Sequence, residues 1–330
     1  MLLTSLFTLE ESYLFALFSV VILLFLVIDL GVFNRKAHKV STKSALYQSI
    51  FWVAISVSFG YLIYKYNGGA EVSLEYFSAY LTEYALSVDN IFVILLILRY
   101  FKVKEIYYHN ILFWGILGAL VFRAIFIFLG AILIAKFHWI LYIFGIFLVY
   151  TGIKIFFENE EDEIHPEKNV IFKFCRKHLR MIKGDFGGKF VVSREKKLFF
   201  TPLFLVIVLI ETTDLIFAVD SIPAAFAITQ NEFIIYTSNI FAVLGLRAKF
   251  FLLAGIIEKF YLLQKGLSFI LVFIGAKMLL EFFNFIISIE ISFAFIILTL
   301  VLSIALSVIF PKKEELEMKE GVDVEEEVVL

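Results

Sequence analysis

Acidic side chains inside apolar runs mark where this chain could do chemistry. Glu83-Tyr84-Ala85-Leu86-Ser87-Val88-Asp89-Asn90 and Asp214-Leu215-Ile216-Phe217-Ala218-Val219-Asp220-Ser221 share one pattern. Each has an acid, five mostly apolar residues, a second acid, and then Asn or Ser, and Glu211 stands one helical turn before the second stretch. A carboxylate at bilayer depth costs at least a few kcal/mol and persists only where something compensates it. Glu83, Asp89, Asn90, Glu211, Asp214 and Asp220 together offer carboxylate and amide oxygens, with Ser221 and Asp29 as further oxygens and no Cys or His beside them. Such hard-oxygen sets suit Mg, Ca or Mn better than Zn or Cu. The competing assignment is structural: the acids pair with Arg123, Arg247, Lys154 and Lys277, the bases inside apolar runs, and hold the helices together. Both assignments can hold at once, with some acids bridged and others free for an ion.

These residues need helices long enough to cross a bilayer, about 20 apolar residues each. Nine such runs are expected, at about 12–33, 44–64, 75–98, 108–134, 137–157, 201–228, 234–256, 266–285 and 290–310. The chain is 61% hydrophobic, against roughly 45–50% in soluble domains, which makes it an all-α polytopic membrane protein. A net charge of -2 gives no sign of a nucleic-acid partner, and a single cysteine, Cys175, excludes an intrachain disulfide. No Lys or Arg precedes the first apolar run, which therefore reads as a membrane helix and not a cleaved leader.

Placing the N-terminus outside puts 22 Lys and Arg on the inner side and two, Lys65 and Lys136, on the outer. Basic residues favour the cytoplasmic side, so the expected topology is N-out and C-in. The organisation is then five spans over 1–157, a cytoplasmic loop at 158–200, four spans over 201–310, and a tail at 311–330. The loop opens acidic and turns basic; 167–181 has the pattern of a short amphipathic helix, and Gly187-Gly188 precedes a candidate hairpin of Lys189–Val192 with Lys197–Phe200. Its basic part is positioned for anionic headgroups. The tail carries eight acids and one Lys over 314–327 and reads as disordered.

The two acidic stretches belong to a longer repeat. Leu117-Gly118 with Arg123-Ala124-Ile125-Phe126 matches Leu244-Gly245 with Arg247-Ala248-Lys249-Phe250, and Gly152-Ile153-Lys154 matches Gly275-Ala276-Lys277. Spans three to five (about 75–158) therefore resemble spans six to eight (about 201–285), and an odd number of spans inverts the second unit. Inverted repeats place transporter sites near the midplane. At 1.5 Å per residue, Glu83 and Asp214 reach similar depths from opposite sides. Glu83 with Asn90, and Glu211 with Asp214 and Ser221, share helix faces, while Asp89 and Asp220 sit off them. Pro223 lacks an N–H, and local unwinding of the sixth span is expected beside it.

Glu83-Tyr84-Ala85-Leu86-Ser87-Val88-Asp89-Asn90-Ile91-Phe92-Val93, and Glu211 and Asp214 with Phe217-Ala218-Val219-Asp220-Ser221-Ile222-Pro223-Ala224, resemble the two signature segments of the TerC family. Asp29-Leu30-Gly31-Val32-Phe33-Asn34-Arg35 and Thr201-Pro202-Leu203 also fit, and the resemblance covers most of 12–310. It implies a multi-pass protein of the bacterial inner membrane or of thylakoids, in a family associated with manganese export and tellurite-resistance operons. The expected function is export of a divalent cation, Mn²⁺ first, by alternating access. Mn²⁺ is then a substrate; no cofactor and no enzyme activity are expected, the bilayer is the surrounding partner, and a proton is the candidate counter-ion. A membrane scaffold tied to stress resistance, without transport, is the alternative. An intramembrane aspartyl protease using Asp89 and Asp220 ranks last, because Phe-Ala-Val precedes Asp220 where such enzymes have Gly-x-Gly.

Overall fold

The computed structural model describes residues 9–28, 42–157, 170–182, 184–194, 197–254, 262–283 and 285–310. Helices follow the apolar runs: α1 (Leu9–Ile28), α2 (Thr42–Tyr66), α3 (Gly69–Tyr100), α4 (Tyr108–Lys136), α5 (Ile140–Phe157), α7 (Pro202–Ile228), α8 (Glu232–Leu244), α9 (Leu246–Leu253), α10 (Leu262–Glu281) and α11 (Ile289–Ile309). Counting α8 and α9 as one, eight segments among the described residues are long and apolar enough to span, and α1 contributes a shorter apolar helix over Tyr13–Leu24. Outward faces stay apolar. On α5, Ile143, Ile146, Tyr150 and Ile153 are exposed at helical spacing, while Gly145, Leu148 and Gly152 face inward. In water such a face would cost dearly; in lipid it is the required solvent match. The chain is an integral multi-pass membrane protein.

The inner helices are α3 and α8, with every residue from Phe233 to Ile235 and from Thr237 to Leu244 buried. Packing on α8 is largely aromatic: the Phe241 ring centroid lies 5.2 Å from those of both Phe18 and Phe59. Asn231 starts α8 by accepting from the Phe233 and Ile234 N–H groups, the ordinary role of Asn at an N-cap.

The interruption falls elsewhere than expected. α7 runs unbroken from Pro202 to Ile228 through Pro223. A proline deletes one helical hydrogen bond and crowds one carbonyl; here Ser221–Ile228 are all buried, and that packing holds the segment helical. The break is at Gly245 (φ -71°, ψ -10°), which separates α8 from α9. Expected unwinding beside Asp220 is therefore replaced by a turn just ahead of Lys249.

Helices α5 and α10 form the closest pair. A Cβ on Gly275 would stand 2.6 Å from the Gly145 carbonyl, and one on Gly152 would stand 2.8 Å from the Ser268 carbonyl. Small residues let backbones approach this closely in membranes. Gly275→Ala should force the pair apart and lower stability by about 1–3 kcal/mol, the usual range for overpacking. Thermal unfolding in detergent reads it; an unchanged midpoint would mean the contact is loose.

Between α5 and α7 the amphipathic pattern becomes α6 (Val170–His178), and the hairpin becomes β1 (Val191–Arg194) with β2 (Lys197–Phe200), paired antiparallel with Val191 opposite Phe200. The first strand sits two residues later than expected. Phe172 and Cys175 turn inward, and the Phe172 ring lies 6.0 Å from Phe101 at the end of α3. Lys104 Nζ donates to Asp185 at 2.6 Å, and Tyr107 Oη donates to the same carboxylate at 2.9 Å. The Lys104 hydrogen bond holds Asp185 below its ordinary pKa. A depressed carboxyl contributes above its unfolded pKa of about 3.9 and loses that contribution as pH falls through the folded value. This exposed tie therefore persists at neutral pH and loosens only in acid.

Candidate functional site

The site is built around Arg123. Its guanidinium, 1% exposed, reaches from α4 to Glu83 on α3 and to Asp214 on α7, with Nη2 3.3 Å from Asp214 Oδ1. Nη1 donates to Glu83 Oε1 and, at 3.0 Å, to Asn239 Oδ1 on α8. Asn239 Nδ2 donates in turn to Glu83 Oε2 at 3.0 Å. Four helices thus converge on one cation. Glu83 and Asp214 share one guanidinium, so the two acids from separate stretches do meet.

The two acids differ in what remains free. Both Glu83 oxygens accept hydrogen bonds, from Arg123 and from Asn239. Among the described residues Asp214 uses only Oδ1, toward Arg123 and, at 3.5 Å, toward Asn90 Nδ2; its Oδ2 is buried with no hydrogen bond to any of them. Glu211, one turn earlier on the same face of α7, also has a buried oxygen, Oε2, without a partner. Its carboxylate lies against Gly118 on α4, in the space a Cβ would fill. The hydroxyls of Ser78, Thr82 and Ser221 and the Arg123 Nε are also buried without a hydrogen-bond partner among the described residues. Unsatisfied buried polar atoms are few in native proteins and call for an explanation.

A second base lies nearby. Lys249 on α9 is buried, donates from Nζ to Ser87 Oγ, and stands 3.7 Å from the centre of the Tyr84 ring. Arg247, expected to match Arg123, is half-buried two residues before it. Lys277 is buried between α10 and α11 with Nζ 3.2 Å from Ser292 Oγ, and Lys154 is exposed at the end of α5. Toward the other end of α3, Thr229 Oγ1 donates to Glu75 at 2.5 Å.

The structure therefore gathers Glu83, Asn90, Asp214 and Arg123 by direct contact and sets Glu211 beside them. Ser221 is buried about two helical turns after Asp214 on α7. The backbone of Asp89 lies on α3 and that of Asp220 on α7, and Asp29 lies outside the described residues. Among the described residues, no three His, Cys, Asp or Glu side chains converge as metal ligands. Asn239, Lys249 and Gly118 are the site's unanticipated members. The polar triplet Thr237-Ser238-Asn239 inside an apolar run was the available signal for the first.

Comparison with known proteins agrees with this architecture. Residues 68–315 match the integral membrane protein TerC family. An "Uncharacterized membrane protein" of Rickettsia bellii is 47% identical over 265 residues, 80% of this chain and 87% of the relative. "Uncharacterized membrane protein STKORF319" of Myxococcus xanthus is 44% identical over 80% of this chain and 82% of its own length. A Salmonella typhi protein named "Putative membrane-bound redox modulator Alx" is 44% identical over 296 residues, 87% of this chain and 92% of its own. No solved structure matches the chain. With three quarters of its length in the family match and both acidic stretches inside it, this chain belongs to the TerC family of integral membrane proteins.

Proposed function

We propose that this protein is an inner-membrane exporter of divalent cations, with Mn²⁺ as the foremost substrate, working by alternating access. The observation that carries this reading is the pair Glu211 and Asp214: two carboxylates one turn apart on α7, each with a buried oxygen that no described residue satisfies. Oxygen atoms of this kind suit a hard divalent ion. A structural salt bridge accounts for Glu83 but leaves those two oxygens unexplained. A proton is the counter-ion in this reading, carried by the same carboxylates when the metal has left. Inverted vesicles containing only this protein should accumulate Mn²⁺, faster with an acidic lumen; vesicles that accumulate none, with or without a proton gradient, would reject it. The name of the Salmonella typhi relative points to redox; here the one thiol, Cys175, is buried in α6, so exchange between two cysteines of this chain is not the basis of such a role.

The inverted repeat is part of the proposal, and the packing supports it. Exchanging α3 with α7, α4 with α8–α9, and α5 with α10 maps the α3–α8 contact onto α7–α4 and leaves α3–α7 and α5–α10 in place. Within the last pair, aligning Gly152 with Gly275 also aligns Gly145 with Ser268. The close approach of Gly145 to Gly275 then becomes that of Ser268 to Gly152.

Orientation follows the charge count, with 22 bases against two. A cysteine placed at an exposed position of 68–73 (68, 70 or 71) should react with an impermeant thiol reagent added outside, and Lys177→Cys, on the exposed side of α6, should not. Native Cys175 is a poor reporter because it is buried. The opposite labelling pattern would overturn the topology.

A further inference from the structure

We infer that Arg123 is the resident counter-cation of the proposed ion site: a divalent ion can load only when Arg123 releases Asp214. This rests on the exporter reading and adds a device to it. The guanidinium touches three acceptors from three other helices, but the three are not equivalent. Glu83 and Asn239 form a closed unit with Arg123, each bonded to both of the others. The Asp214 arm is a single contact at 3.3 Å, made to the one oxygen that also faces Asn90. The breakable side of the bridge is therefore α7, the helix that carries Glu211 and the unpartnered oxygens of both acids.

Charge accounting gives the same answer. Buried charges need partners. With Arg123 drawn back onto Glu83, that pair is neutral by itself, and Glu211 with Asp214 supply the two negative charges a divalent ion requires. With Arg123 still on Asp214, an arriving divalent ion meets a fixed positive charge at the same carboxylate. The two occupants exclude one another at Asp214, and that carboxylate is not left bare when the ion departs. In this scheme Glu83 anchors the arginine and Asp214 alternates between the arginine and the ion. Arg123 is then a positioning residue that sets affinity and release.

Mn²⁺ binding to purified full-length protein in detergent, followed by the electron paramagnetic resonance signal of the free ion, tests the idea. Arg123→Gln should bind Mn²⁺ at least tenfold tighter than wild type. Low-millimolar guanidinium chloride should release the ion from Arg123→Gln and leave wild type unaffected, a response that a purely structural arginine would not produce. Asp214→Asn should bind at least tenfold more weakly than wild type. Equal or weaker binding by Arg123→Gln, with Asp214→Asn still defective, would overturn the counter-cation role and leave the ion site standing. Absence of Mn²⁺ binding in wild type and in every variant would remove the site and this inference together. Should Arg123→Gln fail to fold, Glu83→Gln is compared with Glu83→Gln/Arg123→Gln, which carries no stranded charge. Tighter binding by the double variant is expected; equal or weaker binding counts against the proposal.

Discussion

Vesicles carrying Asp214→Ala or Glu211→Ala are expected to export Mn²⁺ no faster than empty vesicles. Each change deletes a charged oxygen from α7 where the flanking side chains are Thr213 and Leu215, or Ile210 and Thr212, none of which carries a charge. Removing a carboxylate from membrane depth lowers the cost of insertion, so both variants should reach the membrane at normal levels. Asp214→Asn and Glu211→Gln keep one oxygen and lose the charge; they should leave the fold intact and weaken binding. Glu83→Ala should also stop export, for a different reason: it frees Arg123 to sit on Asp214. Wild-type export rates in both α7 alanine variants would show that these acids are structural, and a scaffold without transport would then be the better account of the protein.

The second large effect is on stability. Arg123→Met leaves Glu83 buried with the neutral Asn239 as its remaining hydrogen-bond partner among the described residues. Breaking a buried ion pair from one side costs about 3–5 kcal/mol, because the remaining charge is stranded. Glu83→Gln/Arg123→Met should recover most of that loss, since a neutral amide can keep the Asn239 hydrogen bond. Thermal unfolding in detergent of the two single variants and the double variant measures the coupling between the side chains. Additive losses would mean that Arg123 and Glu83 do not depend on one another, against the contact seen between them.

Mn²⁺ should interact with this cycle in a definite direction. A ligand that binds only the folded protein stabilises it in proportion to occupancy. Arg123→Gln, with its acids vacated, should gain more thermal stability from Mn²⁺ than wild type does.

Much of this molecule is a consequence of local sequence. Apolar runs of spanning length become helices because a backbone in lipid must satisfy its own hydrogen bonds, and this requirement needs no knowledge of neighbours. The amphipathic period of Val170–His178 and the two-residue alternation around β1 and β2 are local in the same way. Interior acids on α3 and α7 were legible because a charge in an apolar run stands out, and helical rise alone put Glu83 and Asp214 at one depth. Partner choice was not legible. Arg123 and Arg247 have similar surroundings in sequence, yet Arg123 takes the centre, and in the second unit the base beside Ser87 and Tyr84 is Lys249. The difference of two residues is a 200° rotation about the helix axis, and that rotation is set at Gly245 by how α8 and α9 pack on α2 and α3. Pro223 looked like the natural break, but a helix tolerates one missing hydrogen bond where its neighbours bury it. Asn239 stood out only as one of three polar residues in an apolar run, and Gly118 not as a site residue at all, because a polar amide or a missing Cβ takes on a role only once another helix brings a carboxylate against it. Local chemistry decided which segments cross the membrane and which of them carry charge; helix packing decided which charges meet, and which oxygens find no partner among the described residues.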